Sequence, residues 1–335
     1  MTPGRRAGLG GAAALDALAD AMGAAARRDA PLGARTTYRV GGRAALEVTV
    51  EEEADLVRLH GALAGVGAPV PLLVLGEGSN LLVADAGFQG VVVSLGPGFA
   101  AESVTASTIR AGGRSKLPVV ARKSVAAGLR GLEWAVGVPG SVGGALRMNA
   151  GGHGSDTAAV LARCTVFDLE SGRTADWGPA RLAFGYRRSA LGPAHVVLWA
   201  EFSLESGDRE AGERVLADIV RWRRANQPGG ANSGSVFVNP EGDSAGRLIE
   251  AAGLKGLRIG SAQVSEKHAN FVQADPADAG GRADDVWRLV EHVRSAVAAR
   301  TGVRLVTEVR MVGFDDEPPM VHSRPTPSTS TGGRG

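Results

Sequence analysis

The sequence predicts an α/β (α+β) protein with more than one domain. A chain of 335 residues is longer than one compact core usually supports. Residues 46–95 alternate between strand and helix patterns, as in a βαβ unit. A charged helical pattern then begins at residue 206, and it indicates the start of a further domain.

The elements of the first half follow from local periodicity. Leu15, Leu18 and Met22 recur at helical spacing and predict an amphipathic helix over residues 12–27. Alternating or continuous apolar residues, bounded by turn residues, predict the strands, and acidic or serine starts predict the helices. The predicted elements are a strand at 46–50, a helix at 51–63, strands at 72–75, 91–95 and 103–111, and a helix at 117–129.

The second half contains fewer strand patterns and longer helices. Residues 196–204 predict a strand, and residues 206–224 a helix. A helix over 244–252, capped by Asp243 or Ser244, ends at Gly253. The remaining elements are a helix that begins after Asp284, a final strand at 303–312, and a proline- and serine-rich tail at 315–335 that we expect to be disordered.

Composition excludes several classes of protein. The formal net charge of +2 gives no case for nucleic acid binding. Cys164 is the only cysteine, which excludes an internal disulfide and a zinc site of paired thiolates, and we expect no metal. Asp16 and Asp20 interrupt the apolar stretch after Arg5 and Arg6, and no apolar run of about 18 residues follows. We therefore expect a cytoplasmic protein that does not bind membranes.

A glycine-rich turn follows the strand at 72–75. Gly76, Glu77, Gly78, Ser79 and Asn80 could direct successive backbone N–H groups at one anion, as a pyrophosphate site requires. An ordinary turn explains the same residues equally well. The segment lacks the third glycine and the helix of a Rossmann fingerprint, so a dinucleotide site here would be of another kind.

A second glycine-rich stretch runs through residues 137–154. So many glycines raise the entropic cost of folding, which is reasonable where backbone passes close to a flat or charged ligand. A flexible loop is the alternative. Pro139 and the apolar residues Val136, Val138 and Val142 favour a shaped loop that contacts a ligand.

These segments resemble the UDP-N-acetylenolpyruvoylglucosamine reductase family over most of the chain. The resemblance rests on six segments taken together, which is more specific than any of them alone. They are Thr36 to Gly42, Leu75 to Leu82, Gly137 to Gly144 with Asn149, Phe184 to Ser189, Asn232 to Pro240, and Thr307 to Gly313.

The resemblance implies a two-subdomain FAD-binding fold of the PCMH/vanillyl-alcohol-oxidase type plus a C-terminal α+β substrate domain. The expected divisions are an N-terminal leader and helix (1–28), FAD-binding subdomains (29–95 and 96–205), a substrate-binding domain with its closing strand (206–314), and the tail (315–335). It implies non-covalent FAD, NADPH as co-substrate, and a monomer. The implied cofactor-binding residues are Gly76, Glu77, Gly78, Ser79, Asn80, Leu81, Val138, Pro139, Gly140, Ser141, Gly143, Gly144, Asn149, Gly151 and His153.

The resemblance also implies three catalytic residues in a reductase of UDP-N-acetylglucosamine enolpyruvate. Arg187 matches the active-site arginine, which would stabilise charge on the enolpyruvyl carboxylate. Ser235 matches the proton donor, and a serine hydroxyl can protonate a basic enolate that is held within reach. Glu308 matches the catalytic glutamate, which either donates a hydrogen bond when protonated or orients Arg187 when ionised.

Residues on the substrate side of the cleft follow from the same resemblance. We expect the substrate-binding residues to be Tyr186, Asn239, Lys267, His268 and Arg310. Arg221, Arg223 and Arg224 could add positive potential for a diphosphate, but their pattern is more typical of a solvated helix face.

Two departures and two rival functions accompany this assignment. Val238 stands where many family members have lysine, and the short interval from Tyr186 to Ser235 places the chain in the branch without a tyrosine loop over the substrate. One rival is an oxidase or dehydrogenase with His153 attached to FAD. The other is a non-catalytic sensor, which would have lost Arg187, Ser235 or Glu308.

Overall fold

The computed structural model describes residues 9–276 and 280–314. The predicted disorder of residues 315–335 lies outside the described residues. The first unit is a sheet flanked by two helices. Its elements are α1 (Leu9–Met22), β1 (Ala26–Pro31), β2 (Arg43–Val50), α2 (Glu53–Val66), β3 (Leu72–Leu75), β4 (Leu81–Val83) and β5 (Phe88–Leu95).

The first sheet has the order β1-β2-β5-β3. Strands β2, β5 and β3 are parallel, and β1 is antiparallel to β2. Strands β2 and β3 run in the same direction because the crossover helix α2 returns the chain to the end of the sheet at which β2 began. Glu52 caps α2 in a capping box with Asp55. The first glycine turn thus lies at the carboxyl end of β3.

The second unit is built on an antiparallel sheet of order β12-β11-β13-β7-β6. Its elements are β6 (Glu102–Val104), β7 (Thr108–Gly112), α3 (Leu117–Ala126), β8 (Leu129–Arg130), α4 (Val142–Met148), β9 (Gly151–Gly152), β10 (Ser155–Asp156), α5 (Thr157–Val160), β11 (Leu161–Asp168), β12 (Arg173–Trp177), α6 (Pro179–Leu182), β13 (His195–Ser203), β14 (Glu205–Ser206) and α7 (Arg209–Asn226).

The third unit packs two helices against a small antiparallel sheet. Its elements are α8 (Ala245–Ala251), β15 (Arg258–Ile259), β16 (Ala262–Val264), β17 (Val272–Ala274), α9 (Ala283–Thr301) and β18 (Arg310–Val312). Strand β18 pairs in parallel with β4 of the first unit. Tyr38, Val40 and Leu82 of the first unit also contribute to the third unit's core. The third unit therefore completes its core with residues from the first.

Helix α7 packs on the second unit. Ile219 is buried in that unit's core, with Leu216 and Val220 packed against it. The predicted division at 205/206 would separate this helix from the layer that buries it. We propose instead that the substrate-binding domain begins after Asn226.

Several predicted elements differ from the observed ones. The first helix ends at Met22 because Gly23 turns the chain at a positive φ, and residues 26–31 form β1, so the proposed division at 28/29 falls inside a strand. The strand predicted at 103–111 is a hairpin, since Thr105 and Thr108 close a turn through backbone and hydroxyl contacts. The final strand spans only Arg310–Val312.

Candidate active site

A cavity of about 700 Å³ opens between the three units. Fourteen of the fifteen predicted cofactor-binding residues line it, and Asn149 does not. The fourteen are Gly76, Glu77, Gly78, Ser79, Asn80, Leu81, Val138, Pro139, Gly140, Ser141, Gly143, Gly144, Gly151 and His153.

The first glycine turn is fixed from both sides. Gly78 has a φ of 62°, and its carbonyl accepts a hydrogen bond from the Thr37 N–H at 3.1 Å. The Asn80 side-chain amide donates to the Glu308 carbonyl at 3.0 Å. The Asn80 carbonyl in turn accepts from the Arg310 N–H at 3.1 Å. The turn is therefore joined directly to the segment that carries the predicted catalytic glutamate.

The second glycine-rich stretch is not a loop throughout. Helix α4 begins at Val142, because the Ser141 hydroxyl accepts a hydrogen bond from the Gly144 N–H at 3.2 Å. A Cβ atom added at Gly76 would lie 2.5 Å from the Ser141 Oγ. The two glycine segments therefore approach so closely that a side chain at Gly76 would collide with the cap.

Asn149 holds neighbouring segments together at the edge of the cavity, and its role as a cofactor contact stays a prediction. It ends α4 in the left-handed conformation. Its amide donates to Asp156 Oδ2 at 3.1 Å and to the Gly185 carbonyl at 3.2 Å, and its Oδ1 accepts from the Ala158 N–H at 3.0 Å. All its hydrogen bonds hold neighbouring segments together.

Arg187 and Glu308 meet at the cavity wall although 121 residues separate them in the chain. Arg187 Nε donates to Glu308 Oε1 at 2.7 Å, and a terminal nitrogen donates to the Gly151 carbonyl at 3.1 Å. Arg187 has a φ of 53°, which is unusual for a residue with a side chain and is typical of functional sites. Burial raises the pKa of Glu308, and the nearby Arg187 guanidinium opposes that rise.

Ser235 lines the same cavity on the segment beside Glu308. The Glu308 N–H donates to the Val236 carbonyl at 2.7 Å, and Phe237 forms a β-bridge with Thr307. This pairing places the residue after Ser235 against Glu308. The structure thus brings the three predicted catalytic residues to one cavity.

Of the five predicted substrate-binding residues, only Arg310 lines the cavity. Tyr186 is 62% exposed, and its ring lies 5.2 Å from the Arg187 guanidinium. Asn239 Oδ1 accepts from the Ala245 N–H at 3.1 Å, at the start of α8. The remaining two have other partners: Lys267 Nζ donates to the Arg224 carbonyl at 2.5 Å, and His268 Nδ1 accepts from the Asn270 N–H at 3.2 Å.

The lining includes side chains that the sequence analysis missed. Arg223 lies against Gly137 in the cavity, and burial lowers its pKa, so the expectation of a solvated face is wrong for this arginine. Its position four residues after the buried Ile219 was the available signal. Trp222, Arg114 and Arg147 also line the cavity.

Positive charge predominates in the cavity wall. The charged lining residues are Arg35, Arg114, Arg147, Arg187, Arg223 and Arg310, against Glu77 and Glu308. Six cations against two anions suit a ligand with several negative charges, such as a dinucleotide. Within the described ranges, 9–276 and 280–314, no cluster of three or more His, Cys, Asp or Glu side chains could hold a metal ion. No helix in that part of the chain is long and apolar enough to cross a membrane.

Two family models match the chain. The model described as "FAD binding domain" matches residues 44–177, and "UDP-N-acetylenolpyruvoylglucosamine reductase, C-terminal domain" matches residues 226–312. The second match begins at the last residue of α7, next to the boundary that we propose.

Curated relatives share both the name and most of the length. UDP-N-acetylenolpyruvoylglucosamine reductase 2 of Symbiobacterium thermophilum is 46% identical over 86% of this chain and 92% of its own length. The corresponding enzyme of Heliobacterium modesticaldum is 43% identical over 84% and 89%. The crystal structure of the reductase from Thermus caldophilus superposes with a TM-score of 0.73 and 36% identity, and covers 84% of this chain and 97% of that one. The fold, the cavity and these similarities together assign the chain to the UDP-N-acetylenolpyruvoylglucosamine reductase family.

Proposed function

We propose that this protein reduces UDP-N-acetylglucosamine enolpyruvate to UDP-N-acetylmuramate with FAD and NADPH, a step in the synthesis of peptidoglycan precursors. The observation that carries the proposal is the convergence of Arg187, Ser235 and Glu308 on a cavity that also contains both glycine segments. The curated relatives are named for this reaction.

The residues of the cavity fit FAD. The turn at Gly76 to Asn80 and the residues Gly140 and Ser141 line the cavity, where their backbone N–H groups would be offered to a diphosphate. The side-chain carbonyl oxygen of Gln227 and the Ser233 hydroxyl are buried and have no hydrogen-bond partner among the described residues. Such orphaned groups in a ligand cavity are reasonable if bound molecules satisfy them. We propose that FAD binds here without a covalent link.

The chain's own residues would bind the substrate and control its protons. Bound FAD, reduced by NADPH, would supply hydride chemistry to C3 of the enolpyruvyl group. Arg187 would hold the carboxylate and, with Glu308 oriented by its 2.7 Å hydrogen bond, would stabilise the negative charge that develops there. Ser235 would then donate its hydroxyl proton to C2.

An anaerobic spectroscopic experiment tests this function. The oxidised, flavin-loaded protein should be yellow, bleach when NADPH is added, and recolour when UDP-N-acetylglucosamine enolpyruvate follows without oxygen. An oxidase would recolour with oxygen and not with the sugar nucleotide. A non-catalytic sensor would bind the sugar nucleotide without recolouring.

We further propose a cytoplasmic monomer that acts on small molecules and binds neither nucleic acid nor membranes. The near-balanced charge of +2 supports the part of this proposal that concerns nucleic acid. Size-exclusion chromatography with light scattering tests the monomer, and a dimer mass would contradict it.

A further inference from the structure

Arg147 is a cavity cation that the proposed reaction does not use. It lies in the last turn of α4 and lines the cavity. Among residues 9–276 and 280–314, no carboxylate pairs with its guanidinium and no acceptor takes one of its side-chain N–H groups. A cation near a helix C-terminus is favoured by the helix dipole, but the dipole does not require it to turn inward.

The charge that acts on the Arg147 guanidinium is of the same sign. Burial and, to a smaller extent, the charge of Arg310 together lower the pKa of Arg147 to about 10. Arg310 also lines the cavity and has no ion pair among the described residues. Two partly buried cations that face each other without an anion destabilise the protein. Their persistence side by side in a ligand cavity indicates that an anion binds between them.

The pair lies at the end of the cavity where the reaction would occur. Arg310 follows Glu308 by two residues, and both residues line the cavity. Arg147 lies six residues beyond the Ser141 cap, about 9 Å along the helix from the backbone proposed to hold the diphosphate. Glu308 is already engaged by Arg187 and does not neutralise the pair.

We propose that Arg147 and Arg310 form a two-guanidinium site for a planar, delocalised anion at the reacting end of the cavity. The inference rests on the proposed function, which supplies two groups with that chemistry. One is the carboxylate of the enolpyruvyl substrate. The other is the flavin ring, because hydride transfer from NADPH adds two electrons and one proton, releases NADP⁺, and leaves the ring with one negative charge. Guanidinium forks match the two adjacent acceptors of either group.

The test compares Arg147→Gln and Arg147→Lys with the control Arg122→Gln. Arg122 is exposed on α3, and its guanidinium donates only to the Pro118 carbonyl of its own helix, at 3.1 Å. For each flavin-loaded protein, two quantities are measured: the midpoint potential of the flavin without substrate, and the Kd of the sugar nucleotide for the oxidised enzyme.

We expect Arg147→Gln to change one of these quantities at least about tenfold. If the flavin is the anion, its potential becomes more negative by about 30 mV, the equivalent of tenfold for a two-electron couple. If the substrate carboxylate is the anion, the Kd of the sugar nucleotide rises about tenfold and the midpoint potential of the flavin is unchanged. Arg147→Lys keeps the positive charge but loses the planar fork, so it should change the same quantity in the same direction by a smaller factor, still distinct from Arg122→Gln, and it supplies the measurements if the glutamine variant loses its flavin.

Two outcomes would overturn the inference. In one, both quantities match those of Arg122→Gln. In the other, oxidised and reduced FAD lose affinity equally, which would make the cofactor diphosphate the anion. If the unsubstituted protein bleaches and recolours while either outcome holds, only this inference fails. If it does not bleach, the proposed function fails first.

Discussion

At the scale of single residues, burial and pairing act in opposite directions on the same group. Glu308 is only 14% exposed, so its charged form has lost most of its hydration, while Arg187 supplies a counter-charge at 2.7 Å. Burial is the larger effect and raises the pKa of Glu308. A carboxyl group held in this balance can both accept from Arg187 and, when protonated, donate to a developing enolate.

Replacing Ser235 by alanine should separate the two halves of the reaction. Flavin reduction by NADPH should persist, because Ser235 has no part in it. Recolouring by the sugar nucleotide should slow by about 10² to 10⁴, the usual contribution of a positioned acid. Rapid-mixing absorbance measures both rates. Ser235→Cys, which keeps a dissociable proton, should recover part of the loss, and equal slowing of both halves by Ser235→Ala would refute the assigned role.

Tyr38 provides a prediction on pH and stability. Burial raises the pKa of Tyr38 to about 12, and an interaction with the Ser233 side chain opposes only part of that rise. In the unfolded chain the pKa of tyrosine is about 10. The contribution of Tyr38 to the free energy of unfolding is therefore fully present below pH 10 and is lost as the pH rises from there towards 12. Between pH 8 and pH 11 the free energy of unfolding of the unsubstituted protein should therefore fall by about 1.4 kcal/mol relative to that of Tyr38→Phe, which has no group to titrate there.

Denaturant unfolding at the two pH values measures this difference. Tyr186 is the only other tyrosine and is 62% exposed, so Tyr186→Phe is the matched control and should show no such change. A difference of the same size for both variants would contradict the prediction.

At the scale of elements, two helix glycines differ in whether the packing of their helix leaves room for a side chain. Gly61 lies in α2, and an added Cβ atom would meet nothing within 4 Å. Gly212 lies in α7, where an added Cβ would lie 2.7 Å from Val125 Cγ1 on α3. The missing side chain at Gly212 thus allows α7 to pack closely on α3, and the one at Gly61 has no such role.

Alanine substitution at the two positions should change stability in opposite directions. Gly61→Ala should raise the free energy of unfolding by about 0.5 to 1 kcal/mol, through helix propensity alone. Gly212→Ala should lower it by about 1 to 3 kcal/mol, because the contact with Val125 overpacks the interface. Thermal or urea unfolding of the two variants checks both signs, and a gain at Gly212 would contradict the packing argument.

At the scale of the whole molecule, the third unit depends on the first for more than its core. The N-terminal turn of α9 has no cap of its own, since Arg282 makes no side-chain capping bond. Asp85 of the first unit caps it instead: Oδ1 accepts from the Ala283 N–H at 2.9 Å, and Oδ2 accepts from Arg282 Nε at 3.0 Å. We therefore expect the units to unfold together.

Asp85→Ala should lower the stability of the whole protein by about 0.5 to 2 kcal/mol, as loss of a helix cap does. The unfolding curve from circular dichroism should still coincide with that of the Trp287 fluorescence, taken as the difference between proteins with Trp287 and with Trp287→Phe; Trp287 stacks on Phe314 in the third unit. Glu241→Ala, at an exposed position, is the control and should stay within about 0.5 kcal/mol. A separate early transition at Trp287 would show that the third unit folds independently.

The sequence by itself determined most local elements and the choice of the side chains proposed to be catalytic. Periodicity and capping rules describe features that depend on neighbours within a few residues. Examples are the strand at 72–75, the Ser244 cap of α8 and most apolar helix faces. Arg187, Ser235 and Glu308 were found because each stands in a distinctive short motif.

Only the tertiary structure decided which side chains face the cavity. Asn149, Asn239, Lys267 and His268 stand in motifs of the same kind, yet they do not line the cavity and their side chains bond to other groups of the protein. Asp85 caps a helix that begins about 200 residues later. The guanidinium groups of Arg147 in the second unit and Arg310 in the third interact electrostatically. Such contacts depend on how the layers pack in space, and no spacing along the chain encodes the distance between residues so far apart in sequence.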